Sequence, residues 1–241
     1  MAETENLLIA RLPQRDRLRL LALCEPVQLQ PGTLLYAPGT PARHVYFPLD
    51  GFVALVATLD GQRELGVGMV GCEGMVGAPW GLDAAATPLH ALVQGSGAAR
   101  RIKAGQLRHE LVPGKALHQA LDRYLHIMLM QLATTAACTH FHLVSPRLAR
   151  WLLMSADRAR ADSFHLTHEF LARMLGVRRE GVTHAAGELQ QRALIRYHRG
   201  EVLVLDRPGL EAAACGCYAA DRLLYDTLLG RRRPGLGSAL V

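Results

Sequence analysis

The stretch THEFLARMLGVRREGVTHAAGELQ, residues 167–190, decides the fold. Thr167 offers the side-chain oxygen that a helix N-cap needs, and residues 168–175 place Leu171, Ala172 and Leu175 ahead of Gly176. A glycine at that point can take the positive φ that stops a helix, so the spacing predicts a helix over 168–175, a tight turn and a second helix over 178–191. Ala172 is small where the helices cross, Gly176 turns the chain four residues later, and Val182 returns to the core six residues after that. Arg178, Arg179, Glu180, Thr183 and His184 are left to project outward near the start of the second helix. At that end they suit a major groove, where Arg reads guanine, Glu accepts from cytosine and Thr touches a thymine methyl. Without the turn spacing they would be only the solvated face of an amphipathic helix. Thr167 and His168 join them as candidate DNA contacts.

On the C-terminal side, residues 196–198 and 202–205 flank Arg199-Gly200 and read as a β-hairpin. A basic-tipped hairpin after such a helix suits the phosphate backbone, with Arg196, His198 and Arg199 as contacts that position rather than specify. On the N-terminal side, Pro146 opens a helix carrying Leu148, Trp151, Leu152 and Ala156 on one face, with Ser145 as its expected N-cap. Before it, residues 115–142 contain neither Gly nor Pro, and Leu117, Leu121, Leu125, Met128, Leu132 and Ala136 form one apolar stripe. A second copy of the same helix would cover that stripe as a dimer interface, and packing on the chain's own β domain is the alternative.

Between residues 31 and 105 the pattern changes to short branched or aromatic runs separated by Pro31-Gly32, Pro38-Gly39, Asp50-Gly51 and Asp60-Gly61. Runs at 34–36, 45–47, 52–59, 64–70, 89–94 and 98–102 predict an all-β sandwich, roll or barrel. Residues 7–23 read as a short helical cap.

Composition bounds the rest. The chain has 241 residues, half of them hydrophobic and 20% charged, which excludes a disordered tail and predicts a soluble globule. No apolar run is long enough to span a membrane, and Glu3 and Glu5 stand where a secretory signal would be basic, so a cytoplasmic protein without a membrane partner is expected. Net charge is +6, with 12 Lys and Arg against 11 Asp and Glu up to residue 145 and 15 against 10 after it. The C-terminal excess fits a polyanionic partner. Five cysteines, at 24, 72, 138, 215 and 217, are odd in number and scattered, arguing against a disulfide framework or a zinc finger. Cys138, His140 and His142 near the end of the long helix could suggest a metal site, but alternate residues on a helix do not share a face, so no metal site is expected. A redox or ligand role for Cys72, Cys215 or Cys217 stays open at this level.

The order of parts, with the motifs at 166–194, 45–51 and 68–77, resembles the Crp/Fnr family of bacterial transcription regulators over nearly the whole chain. The resemblance implies an α+β architecture in three parts. These are a jelly-roll-like, cyclic-nucleotide-binding-like β-roll over 1–114, a long dimerisation helix over 115–144 and a winged helix-turn-helix over 145–241. It further implies a homodimer on palindromic double-stranded DNA, RNA polymerase as a partner, and a small effector. Arg179, Glu180 and His184 fall at the family's base-reading positions, and His184 departs from the Arg often found there. Gly71, Glu73 and Gly74 resemble the start of the phosphate cassette of cyclic-nucleotide-binding members, which continues here toward Thr87 and His90. The cassette Arg is missing, so cyclic AMP is not the expected effector. An iron-sulfur cluster is not expected either, because the first 30 residues hold only Cys24. Haem needs only one or two ligands, for which Cys72, His44 and His90 are available, but the preferred reading makes Cys72 a small buried residue and the histidines surface or hydrogen-bonded groups.

Two readings compete. A cupin-like β-barrel enzyme needs clustered histidines, yet His44, His90 and His109 stand apart, and the β-region offers no GxSxG, P-loop or HExxH motif, so an enzyme is not expected. An interaction protein that does not bind DNA would leave the helix-turn-helix spacing unexplained.

Overall fold

The computed structural model describes residues 5–61, 63–77, 88–112 and 114–229. Thr87 lies outside them. Two short helices, α1 (Leu7–Ala10) and α2 (Gln14–Ala22), precede seven antiparallel strands. β1 (Glu25–Leu29), β7 (Gly97–Lys103) and β3 (His44–Pro48) form one sheet in the order β1-β7-β3. β2 (Leu34–Tyr36), β6 (Leu89–Gly95), β4 (Phe52–Leu59) and β5 (Arg63–Val70) form the other, in the order β2-β6-β4-β5. Alternation along the strands turns Val45, Phe47, Val53, Leu55, Val93 and Ile102 into a common interior. β1 escapes the turn-and-run pattern because Pro26 interrupts it. Pro is tolerated because β1 is an edge strand, paired among the described residues only with β7, which the Glu25–Arg101 ion pair at 2.8 Å also joins.

After α3 (Ala104–Leu111) comes α4 (Lys115–Phe141), the expected long helix. Its apolar stripe divides between two environments. Leu117 and Leu121 are buried, with Ala120, Tyr124 and Ile127, in the β-roll core, so these two cannot meet a second copy as expected for dimer contacts. Leu125 and Met128 are partly covered by the same core, and Leu132 is half-buried. Leu129, off the expected stripe, is 59% exposed. The stripe is rotated because the β-roll itself takes the Leu117 face, as the alternative packing required.

α5 (Val144–Ala159) starts two residues earlier than expected. Leu143, not Ser145, occupies its N-cap, without a side-chain hydrogen bond. Pro146 still fits, because the N–H groups of a first turn need no intrahelical partner. α5 lies at the centre of a second core containing Leu148, Leu152, Leu171, Val182 and Leu189, and Phe52, Ala54 and Val56 of β4 belong to it as well. The DNA-side helices therefore rest directly on the β-roll.

α6 (His168–Leu175) and α7 (Arg179–Gln191) follow β8 (Ser163–His165), which becomes the outer strand of a β8-β10-β9 sheet with β9 (Ile195–His198) and β10 (Glu201–Val204). Two C-terminal helices complete the described chain, α8 (Arg207–Ala213) and α9 (Cys217–Leu229). α9 runs back to α4, and its Leu224, Tyr225 and Leu228 pack on the β-roll core. Among the described residues, no helix is long and apolar enough to cross a membrane.

Candidate nucleic-acid interface

Thr167 caps α6 by accepting from the Phe170 N–H at 3.1 Å, and Gly176 ends it at φ +62, where its N–H is turned back to the helix. These two local signals set the angle at which α7 leaves. Val182, Ala185, Ala186 and Leu189 are buried against α5 and α6, which fixes the rotation of α7 about its axis. The remaining face carries Arg178 at the N-cap, then Arg179, Glu180, Thr183 and His184, all exposed. The structure thus gathers the five expected α7 residues on one solvent-facing surface.

Two of the DNA-facing residues also have internal partners. His168 Nδ1 lies 3.0 Å from Thr183 Oγ1, while the Thr183 hydroxyl donates to the Arg179 carbonyl at 3.1 Å. The His168 ring stacks on Tyr197 with centroids 4.3 Å apart, and the Tyr197 hydroxyl donates to the Leu166 carbonyl at 2.6 Å. Burial, helped by the nearby Arg179 charge, pushes the His168 pKa below its ordinary 6.5. His168 therefore braces α6, α7 and the wing against one another. His184 lies 3.3 Å from Glu188 one turn on, an interaction that becomes an ion pair when the imidazole is protonated.

The wing forms as expected. Arg199 and Gly200 both have positive φ, +49 and +88, as a two-residue hairpin turn demands, and Arg196, His198 and Arg199 are exposed. The third strand, β8, is not among the runs read from the sequence, because Phe164 is the one apolar residue in its three. It pairs Phe164 with Val202 and stiffens the wing from the other side.

The expected effector residues are differently placed. Glu73 Oε1 lies 2.7 Å from Arg158 Nε of α5 and also accepts from the Gly71 N–H at 3.0 Å. Gly74 is pressed against Tyr124 of α4, where an added Cβ would come within 2.5 Å of the ring. The cassette-like loop is thus closed by side chains of α4 and α5. Beside it lies a cavity of about 200 Å³, lined by Cys72, Glu73, Arg158, Tyr218 and Tyr225 among others. Tyr225 and Arg158 are beyond the reach of sequence reasoning, since they meet this loop only through the return of α9 and the docking of α5.

Residues 146–213 match the family model of the Crp-like helix-turn-helix domain. The chain carries a Crp-like helix-turn-helix domain. This domain spans α5 to α8 and includes every α7 and wing residue described above, which makes it a DNA-binding unit of the transcription-regulator type. Solved structures extend the likeness to the fold of most of the chain. FixK2 from Bradyrhizobium japonicum matches with a TM-score of 0.67 at 17% identity, over 80% of this chain and 98% of that one. The c-di-GMP responsive global regulator CLP from Xanthomonas campestris matches at 0.65 and 22%, over 80% and 99%. A CRP-family transcriptional regulator from Thermus thermophilus matches at 0.64 and 23%, over 78% and 96%. The β-roll, long helix and Crp-like domain together therefore have the fold of Crp/Fnr regulators. No relative emerges from comparison with curated protein sequences.

Proposed function

We propose that the protein is a sequence-specific transcription regulator that binds a palindromic operator as a homodimer, without catalytic turnover. The observation that carries this reading is the exposed face of α7, where Arg179, Glu180, Thr183 and His184 stand together while Val182, Ala185 and Leu189 anchor the opposite face. A helix held that way offers base-edge readers to a major groove, and the wing offers Arg196, His198 and Arg199 to the flanking phosphates. Leu125, Leu129, Leu132 and Ala136 follow one another at four, three and four residues along the outer side of α4, a spacing suited to a helix pair. A two-fold axis between two copies of α4 would give two recognition helices, and hence two half-sites. RNA polymerase is the partner expected of such a regulator on DNA.

The β-roll acts as the effector-responsive part, and cyclic AMP is not its effector. Glu73 is held by Arg158, the loop is closed by Tyr124, and residues 71–90 contain no Arg to balance a cyclic phosphate. Selection of a random duplex library by the purified protein tests the reading. Enrichment of one inverted repeat supports it, and a pool that remains random after repeated rounds overturns it.

A further inference from the structure

The C-terminal end of α4 gathers four soft ligands that DNA binding does not use. Cys138 lies in the last turn and a half of α4, and His142 follows it four residues later at the C-cap, so the two meet on one side of the helix. His140, between them, is not part of the group. Cys215 and Cys217 arrive from the bend between α8 and α9. One ligand atom from each of the four lies within 4.8 Å of all the others.

We propose that Cys138, His142, Cys215 and Cys217 form a tetrahedral zinc site. A zinc ion with bonds of roughly 2.3 Å to sulfur and 2.0–2.1 Å to nitrogen holds neighbouring ligand atoms about 3.4–3.8 Å apart. Cys138 Sγ and Cys215 Sγ are separated by 3.5 Å, and Cys217 Sγ and His142 Nδ1 by 3.7 Å. These match two of the six edges of such a tetrahedron, and the other four are no longer than 4.8 Å. Three thiolates and one imidazole are a soft, zinc-selecting set, and the spacing admits one ion rather than a cluster of several irons. Four protein ligands leave no open position, so the ion is structural.

The surrounding charge agrees. A zinc ion with three thiolates carries a net charge of −1, and two buried arginines stand on the adjoining face of α5, Arg147 and Arg150. Arg150 is paired with Asp221 at 2.7 Å. Arg147 donates to the Leu175 carbonyl and has no carboxylate within 4 Å among the described residues. A buried cation needs an anionic partner, and the loaded site supplies one. The ion would fasten the start of α9 to the end of α4, at the joint where the long helix gives way to the Crp-like domain.

The full-length protein, purified under reducing conditions without chelator, is assayed for bound metal and for reactive thiols, then stripped and reloaded with Co²⁺. The expected results are one zinc per chain, a tetrahedral cobalt–thiolate spectrum, and a thermal midpoint that falls on chelation and returns with zinc. Cys217→Ser and His142→Ala should lose the metal, whereas Cys24→Ser, away from the site, should keep it. Wild-type protein carrying only trace metal and giving no tetrahedral cobalt spectrum would overturn the proposal, and so would a Cys138–Cys215 disulfide found by mass spectrometry of the unreduced protein. Both readings use the wild type, so failure of a variant to fold does not decide the matter.

Discussion

Glu73 and Arg158 form a buried ion pair across the junction between the β-roll and the Crp-like domain, with Oε1 and Nε 2.7 Å apart. The Arg158 guanidinium also lies over the Tyr225 ring, 5.6 Å from its centroid, and donates to the Tyr225 hydroxyl at 3.3 Å. One arginine on α5 thus touches the sensor loop and the returning α9 together. Replacing Glu73 by Ala leaves that cation buried without a carboxylate, and breaking a buried pair in this way costs about 3–5 kcal/mol. Urea denaturation of Glu73→Ala should show a lowered midpoint, and the double variant Glu73→Leu with Arg158→Met should recover much of the loss. A single variant as stable as the wild type would mean that the pair is not formed.

The dimer prediction follows the rotated stripe. Leu129 is 59% exposed and Leu121 is 2% exposed on the same helix. Leu129→Glu should give a folded monomer at micromolar concentration, because two copies of the charge would face each other in an apolar seam. Leu121→Glu should instead disrupt the β-roll core and lower the yield of folded protein. Sedimentation with circular dichroism separates these outcomes, and a wild-type monomer would remove the basis for the Leu129 prediction.

His168 provides a pH test. Its folded-state pKa is lowered from 6.5 by burial and then by Arg179, so the unfolded chain takes up a proton that the folded chain refuses. Stability from this group is complete above 6.5 and is lost as the pH falls from there toward the folded value. An NMR titration should place the His168 midpoint below 6.5, and Arg179→Ala should move it upward. A midpoint at or above 6.5 would contradict the packing described for α6 and Tyr197.

Much of this molecule is legible in its sequence, and what is not has physical causes. Thr167, Gly176 and the Arg199-Gly200 turn act through local backbone geometry, so short-range patterns reveal the helix-turn-helix and the wing. Leu117 and Leu129 are both apolar residues of one helix, and only tertiary packing decides which of them the β-roll covers. Glu73 looks like a ligand-binding carboxylate until Arg158, 85 residues away in sequence, is seen to occupy it. The thiol cluster is hidden for the same reason, since Cys138 and Cys215 lie 77 residues apart. β1 and β8 escape the strand pattern because one is interrupted by Pro26 and the other holds a single apolar residue, Phe164.

Effector choice can be tested at the closed cassette. With Glu73 occupied by Arg158, cyclic AMP should leave operator affinity unchanged, and calorimetry should show no binding at concentrations that saturate a cyclic-AMP-dependent regulator. Tight binding coupled to a change in operator affinity would contradict the account of the loop.

The central claim is that α7 reads bases while the wing holds phosphate, and it is tested most directly by titrating Arg179→Ala and Arg199→Ala against the selected operator and its point mutants at several salt concentrations. Arg179→Ala should cost about 1–3 kcal/mol per half-site and relax preference at one base pair. Arg199→Ala should weaken binding to all sequences alike and flatten the salt dependence by about one unit for each phosphate left without its arginine. Identical sequence and salt profiles for the two variants would contradict the placement of α7 in the groove.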